Sequence, residues 1–278
     1  MMQDAFSYCA ELVRKADRDR FLATLFAPAR SRDALYALYA FNIEIERVAG
    51  LAREAIPGEI RLQWWREVLQ NERAGEAAAS PVAAALLSTL VQHRLGADDL
   101  LAFVEAHRFD LYNEPMPTAD TLQTYTTRTS SALFAMAAQI LGADAAAAAR
   151  PAGIAWGLAR ALAALPRHAT QRKLYLPVEL LARHGIGPDE VFSGRSSLGL
   201  NAAAAEVRGL ARDYLDATAV ALGTLPRDAW PAFLPLATVR PLLDRWERCD
   251  VFAPAELSPW RRQWLIWRAS RNAVRIAK

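Results

Sequence analysis

The stretch Tyr36–Gln70, YALYAFNIEIERVAGLAREAIPGEIRLQWWREVLQ, decides the fold. Its apolar residues recur at helical and not at alternating spacing, so it reads as two helices, with a turn expected at Pro57-Gly58. In the first helix Ala34, Leu38, Phe41, Ile45 and Val48 form a wholly apolar stripe that should pack into a core. Beside it run Leu35, Tyr39, Asn42, Glu46 and Ala49, which puts polar Asn42 and Glu46 one turn apart at the edge of that core. Glu44 is rotated away from both, and two acids two residues apart cannot chelate one ion from a helix. The structural expectation is a partly solvated Glu44 and a Glu46 paired with an arginine.

Working outward, the N-terminal residues 4–26 form a helix expected to break near Asp17, and Ser31 is read as the cap of the next one. On the other side, Gly75–Pro81 reads as a small-residue connection, Val82–Arg94 as a helix, and Gly96-Ala-Asp-Asp as the opening of another. Asn113-Glu-Pro-Met-Pro-Thr is a loop fixed by two prolines. Thr118 caps a long helix over Ala119–Leu141 whose centre, TTRTSSALFAM, is small and polar, the pattern of close packing against another backbone. The alanine run at 145–149 leads to Pro151 and a further helix, bent at Pro166, that ends in the basic stretch PRHATQRKLYLP. Further helices are expected from Pro188, Asn201 and Pro231. No internal repeat or linker is visible, so residues 1–278 are read as a single domain.

The totals narrow the class. With 278 residues and 53% hydrophobic residues the chain can bury a large core and is not disordered. No run approaches the roughly 18–20 apolar residues of a spanning helix. The N-terminus has early acids and no apolar segment, so it does not read as a signal peptide, and a cytoplasmic location is expected. Cys9 and Cys249 have no metal-ligand spacing and are expected to be free thiols. A net charge of +3 is too weak to point to nucleic acid. Phosphate loops, His/Cys metal spacings and serine elbows are missing from the sequence.

YAFNIEIERVAG followed by LQWWREVL, together with the closing RKLYLP, resembles the squalene/phytoene synthase family. The resemblance implies an all-α, isoprenoid (terpenoid) synthase-like helical bundle around a central cavity. It also implies two aspartate-rich motifs that hold magnesium against a prenyl diphosphate. Laid on this chain, the first motif falls on Asn42, Glu46 and Gly50, and the second, counted back from Tyr175, on Ala164 and His168. Only Glu46 keeps an acid. A Ser-x-Phe element that helps anchor diphosphate falls near Arg18–Phe21, with the serine lacking and Phe21 kept. Alanine offers no ligand and imidazole is a poor one for magnesium, so no catalytic residue, no metal and no cofactor are expected. Magnesium enters only if the chain is nonetheless a prenyltransferase of this type.

Arg20, Arg160, Arg167, Arg172, Lys173 and Tyr175 remain as candidates for binding a substrate or anion. A solvated basic turn is the plainer reading of the four residues at 160–173. The joint replacement of the acids, with TSSALFAMAAQILG and PRHATQRKLYLP, resembles a branch of the family that assembles respiratory complex I (NADH dehydrogenase) in mitochondria. Complex I subunits or assembly intermediates are then the implied partners, and no nucleic acid. The rival readings are an active prenyltransferase joining two prenyl diphosphates, and a protein that binds an isoprenoid or anionic lipid.

The C-terminal segment 257–278 has a strong start signal in Ser258-Pro259. Leu257, Trp260, Trp264 and Trp267 recur at helical spacing among Arg261, Arg262, Arg268, Arg271 and Arg275. The tryptophans are expected to cap the domain core with the arginines solvated. The other reading is contact with a membrane surface, peripheral on the inner membrane.

Overall fold

The structure, a computed structural model, describes residues 2–51, 54–253 and 256–278. It is all-α, with no β-strand among the described residues. Helices run in the order α1 (Met2–Ala16), α2 (Arg18–Thr24), α3 (Ala29–Leu51), α4 (Ala55–Leu69), α5 (Ala74–Ala79), α6 (Pro81–His93), α7 (Ala97–Ala106), α8 (Ala119–Thr126), α9 (Ala132–Ile140) and α10 (Ala146–Thr170). They continue with α11 (Val178–Arg183), α12 (Pro188–Phe192), α13 (Leu198–Leu222), α14 (Val239–Trp246), α15 (Pro259–Ala269) and α16 (Val274–Ala277). The chain divides into two compact units. One holds the chain up to Tyr112 with Ala132–Ala146 and Leu225–Pro235; the other holds Asn113–Ser131, Ala147–Thr224 and Leu236–Lys278.

In the first unit α3 is the central element, packed by α1, α4, α6 and α9. Every residue from Ala34 to Ile43 is buried, and the apolar stripe stays inside to Val48, while Glu46 and Ala49 of the other stripe are half-buried. Phe41 meets Trp65 edge to face, with centroids 5.0 Å apart, and Phe103 at 5.5 Å. Burial of each such ring contributes about 1.5–3 kcal/mol. Asp17 breaks α1 from α2 as expected, its carboxylate accepting the Arg20 amide hydrogen at 3.0 Å.

Pro57 and Gly58 are not the turn. Both lie in the first turn of α4, where the missing N–H of proline is one that no helix bond would use. A Cβ on Gly58 would sit 2.4 Å from Leu111 Cδ2, so a larger residue there needs the Leu111 side chain to shift. Helix α3 likewise starts at Ala29, inside which Ser31 is no cap; its hydroxyl reaches the Ile140 carbonyl at a long 3.5 Å. Two alanine-rich stretches read as connections are helical, α5 and the start of α10, since alanine gives up the least to enter a helix. Asn201 also lies inside a helix: α13 begins at Leu198, after Ser197, whose hydroxyl accepts from the Leu200 amide at 3.2 Å.

In the second unit Thr118 caps α8, accepting from the Thr121 amide at 3.1 Å. The long helix expected over Ala119–Leu141 widens into a π-helical turn over Thr127–Ser131. Thr126 and Thr129 turn their hydroxyls back onto the carbonyls of Leu122 and Tyr125, at 2.9 and 2.8 Å. This small polar stretch meets α10 backbone to backbone. A Cβ on Gly153 would lie 2.2 Å from the Ser131 nitrogen, and one on Gly157 would lie 2.3 Å from Thr126 Cγ2. Ser131 seals the contact by donating to the Arg150 carbonyl at 3.0 Å.

Candidate functional site

The candidate residues fall on both units. Arg20, Asn42, Glu46 and Gly50 belong to the first; Arg160, Ala164, Arg167, His168, Arg172, Lys173 and Tyr175 belong to the second.

On α3, Asn42 is buried, Glu46 is half-buried and Gly50 is exposed. A Cβ at Gly50 would meet nothing within 4 Å, so no steric demand explains the glycine. Glu44 is engaged by Arg61 of α4 at 3.2 Å, and that guanidinium lies over the Trp64 ring at 4.7 Å. Arg20 is buried, with Nη1 2.7 Å from the Asp17 carboxylate and its guanidinium 5.4 Å from the Tyr39 ring centroid. Burial pushes the pKa of the Tyr39 hydroxyl up, opposed by the nearby Arg20 charge.

On α10, Ala164 and His168 are half-buried one turn apart, while Arg160 and Arg167 are exposed. The helix continues through Pro166 to Thr170, so the basic stretch begins inside it. The His168 imidazole packs at a tilt of 36° against the Tyr175 ring, with centroids 4.8 Å apart, and Tyr175 in turn contacts the Tyr125 ring at 6.0 Å. Arg167 Nη2 approaches His168 Nε2 at 3.4 Å. Arg172 adopts a left-handed conformation at φ 53°, pairs with Asp189 at 3.0 Å and covers the Phe192 ring at 4.8 Å.

Three main-chain bonds hold the YLP segment and the residues after it beside the proline loop, Met116 N to Leu174 O and Val178 N to Met116 O, both 2.8 Å, and Glu179 N to Pro117 O at 3.1 Å. Sequence reasoning missed this pairing, since partners some sixty positions apart leave no local signal. A cavity of about 450 Å³ opens in the second unit between α10, α14 and the start of α15. Leu162, Leu242 and Trp246 line it together with Arg167, Arg262 and Glu256. This cavity too was invisible in the sequence.

The sequence model of squalene/phytoene synthase matches residues 13–268. The chain belongs to the squalene/phytoene synthase family. It is 28% identical over 253 residues to the Homo sapiens protein named NADH dehydrogenase (ubiquinone) complex I, assembly factor 6, covering 89% of this chain and 76% of that one. It is 25% identical over 280 residues to the 15-cis-phytoene synthase of Synechococcus elongatus, covering 94% of this chain and 91% of that enzyme. Among solved structures, a dehydrosqualene synthase in complex with ligand superposes with a TM-score of 0.84 at 18% identity, covering 97% of this chain and 96% of that one. The terpenoid synthase-like helical fold expected from the resemblance is therefore the fold observed.

Magnesium does not suit the donors this family member presents. A hard divalent cation needs several oxygen ligands, and the motif positions offer one carboxylate, Glu46, with glycine, alanine and imidazole at the others. Among the described residues no group of three or more His, Cys, Asp or Glu side chains is placed to hold a metal ion.

Proposed function

We propose that this squalene/phytoene synthase family member serves the assembly of respiratory complex I and does not transfer prenyl groups. The observation that carries the reading is the joint replacement of the motif acids by Gly50, Ala164 and His168, with basic Arg160, Arg167, Arg172 and Lys173 around the second site. Prenyl transfer needs metals to carry the charge of the leaving diphosphate, and metals need carboxylates. Similarity to the human assembly factor supports the same reading, and complex I subunits or assembly intermediates become the proposed partners. No metal or cofactor is required for such a role. Location at the inner membrane surface would follow, although no helix among the described residues is long and apolar enough to cross a membrane.

The alternative, a prenyltransferase joining two prenyl diphosphates, is favoured by the family itself and by the similarity to a phytoene synthase. Two experiments separate them. Deleting the gene from its source cell should lower assembled complex I on native gels, with recovery on re-expression of the unmodified chain; unchanged complex I would sink the assembly role. Purified protein incubated with magnesium, a nicotinamide reductant and farnesyl or geranylgeranyl diphosphate should give no squalene or phytoene. Formation of either would return the chain to the enzymes.

A further inference from the structure

The expected core-capping role of the C-terminal tryptophans is overturned. Helix α15 starts where Ser258-Pro259 says it should, the Ser258 hydroxyl accepting from the Arg261 amide at 3.4 Å. Its inward face is Ile266 and Ala269, both fully buried, with Leu265 beside them. Trp260, Trp264 and Trp267 are 81%, 50% and 43% exposed. At about 100° per residue the three rings fall within an arc of about 60° on the side opposite that inward face. Three tryptophans aligned in water are costly, because each exposes large apolar area.

The charges around them have one sign. From Leu257 to Lys278 the chain carries six basic residues and no acid. Arg268 lies over the Trp264 ring at 5.1 Å and Arg271 over the Trp267 ring at 4.1 Å. No carboxylate pairs with Arg261, Arg268, Arg271 or Arg275 among the described residues. Arg262, by contrast, is half-buried and faces the cavity beside Arg167, so it does not belong to this surface.

We propose that this face of α15 docks on an anionic lipid surface, the tryptophans entering the headgroup layer and Arg261, Arg268 and Arg271 meeting lipid phosphates. An indole suits that layer because its ring is apolar and its N–H is not, and a guanidinium stacked on it brings a fixed phosphate donor to the same depth. Charge complementarity selects the occupant, since a face with this excess of cations repels a second copy of itself. The inference gives the membrane contact of the proposed function its surface and rests on that reading for location alone.

The test uses purified full-length chain and vesicles of phosphatidylcholine, with or without phosphatidylglycerol. Vesicles containing phosphatidylglycerol should co-float the protein and shift its tryptophan emission to the blue, and raised salt should reverse both. R261Q/R268Q/R271Q should weaken partitioning by about fivefold per arginine while leaving the unfolding curve in place. W260A/W264A/W267A should abolish the blue shift. Equal flotation of wild type and the arginine variant at low and high salt would overturn the proposal. So would self-association without vesicle binding, which would assign the face to a second copy. Because the assay contains no complex I, a failure here leaves the assembly reading standing, and a failure of assembly leaves lipid binding measurable.

Discussion

Arginine keeps different company in two regions of this molecule. On the surface formed by α4, α7 and the turn after it, Arg108 grips Glu59 at 3.0 and 3.1 Å and Glu105 at 2.9 Å. Arg66 shares Glu105 at 3.1 Å, and the Tyr112 hydroxyl donates to Glu59 at 2.8 Å. The hydrogen bond from Arg108 holds the Glu59 carboxyl below its usual range, so the network answers its own charge. On the outward side of α15 and just after it, Arg268 and Arg271 lie over tryptophan rings, and no carboxylate pairs with either among the described residues. The lesson is that a count of basic residues separates nothing; the identity of their neighbours tells structure from interface.

Four measurements would break or sharpen that contrast. Asp17→Ala should have the largest effect, since it removes both the α2 cap and the carboxylate beside buried Arg20; a loss of about 3 kcal/mol in urea unfolding is expected. A variant as stable as wild type would mean that this charge is not answered locally after all.

The next tests how the first unit treats an acid that it leaves neutral. Burial, with the Glu44 charge second, pushes the Cys9 thiol up to about 12. The unfolded thiol ionises near pH 8.5, so above that value the unfolded chain binds fewer protons than the folded one. Stability must therefore fall as pH rises toward 12, by up to about 1.4 kcal/mol per unit from this group. Between pH 7.5 and 10 the unfolding free energy should drop by about 2 kcal/mol, and C9A should flatten the slope. An unchanged slope in C9A would remove Cys9 from the account.

Arg108→Ala should cost only about 1 kcal/mol, less at high salt, because its partners are half exposed. R108K should recover little of it, as an ammonium cannot reproduce the fork on Glu59. Smallest of all, R261Q/R268Q/R271Q should move stability by less than about 0.5 kcal/mol. A larger loss would show that α15's arginines serve the fold, and the contrast between the two regions would disappear.

Much of the fold was legible because helix starts are local chemistry. Thr118 and Ser258 cap as their positions in the sequence announce, and the apolar stripe from Ala34 to Val48 is buried throughout. What failed was punctuation that a helix can absorb: Pro57 fits a first turn, Gly58 sits against Leu111, and alanine runs look like linkers until they are seen to be helical. At the candidate site the reading of Gly50, Ala164 and His168 as replaced acids rests on the family motif laid on the sequence. The Met116 bonds and the outward tryptophans depend on partners distant in sequence or on which side of a helix is covered, and no local pattern carries that.

The glycines at 153 and 157 act as an index pin for α10. Because a side chain at either place would collide with Ser131 or Thr126, the helix seats at one axial setting against its neighbour. A slip of one turn would carry everything downstream by about 5.4 Å. Ala164 and His168 ride on the same rod roughly two to three turns beyond the pin. A substitution at the far end of α10 therefore leaves the seat of the helix in place, so the proposed change of role needs no change of scaffold.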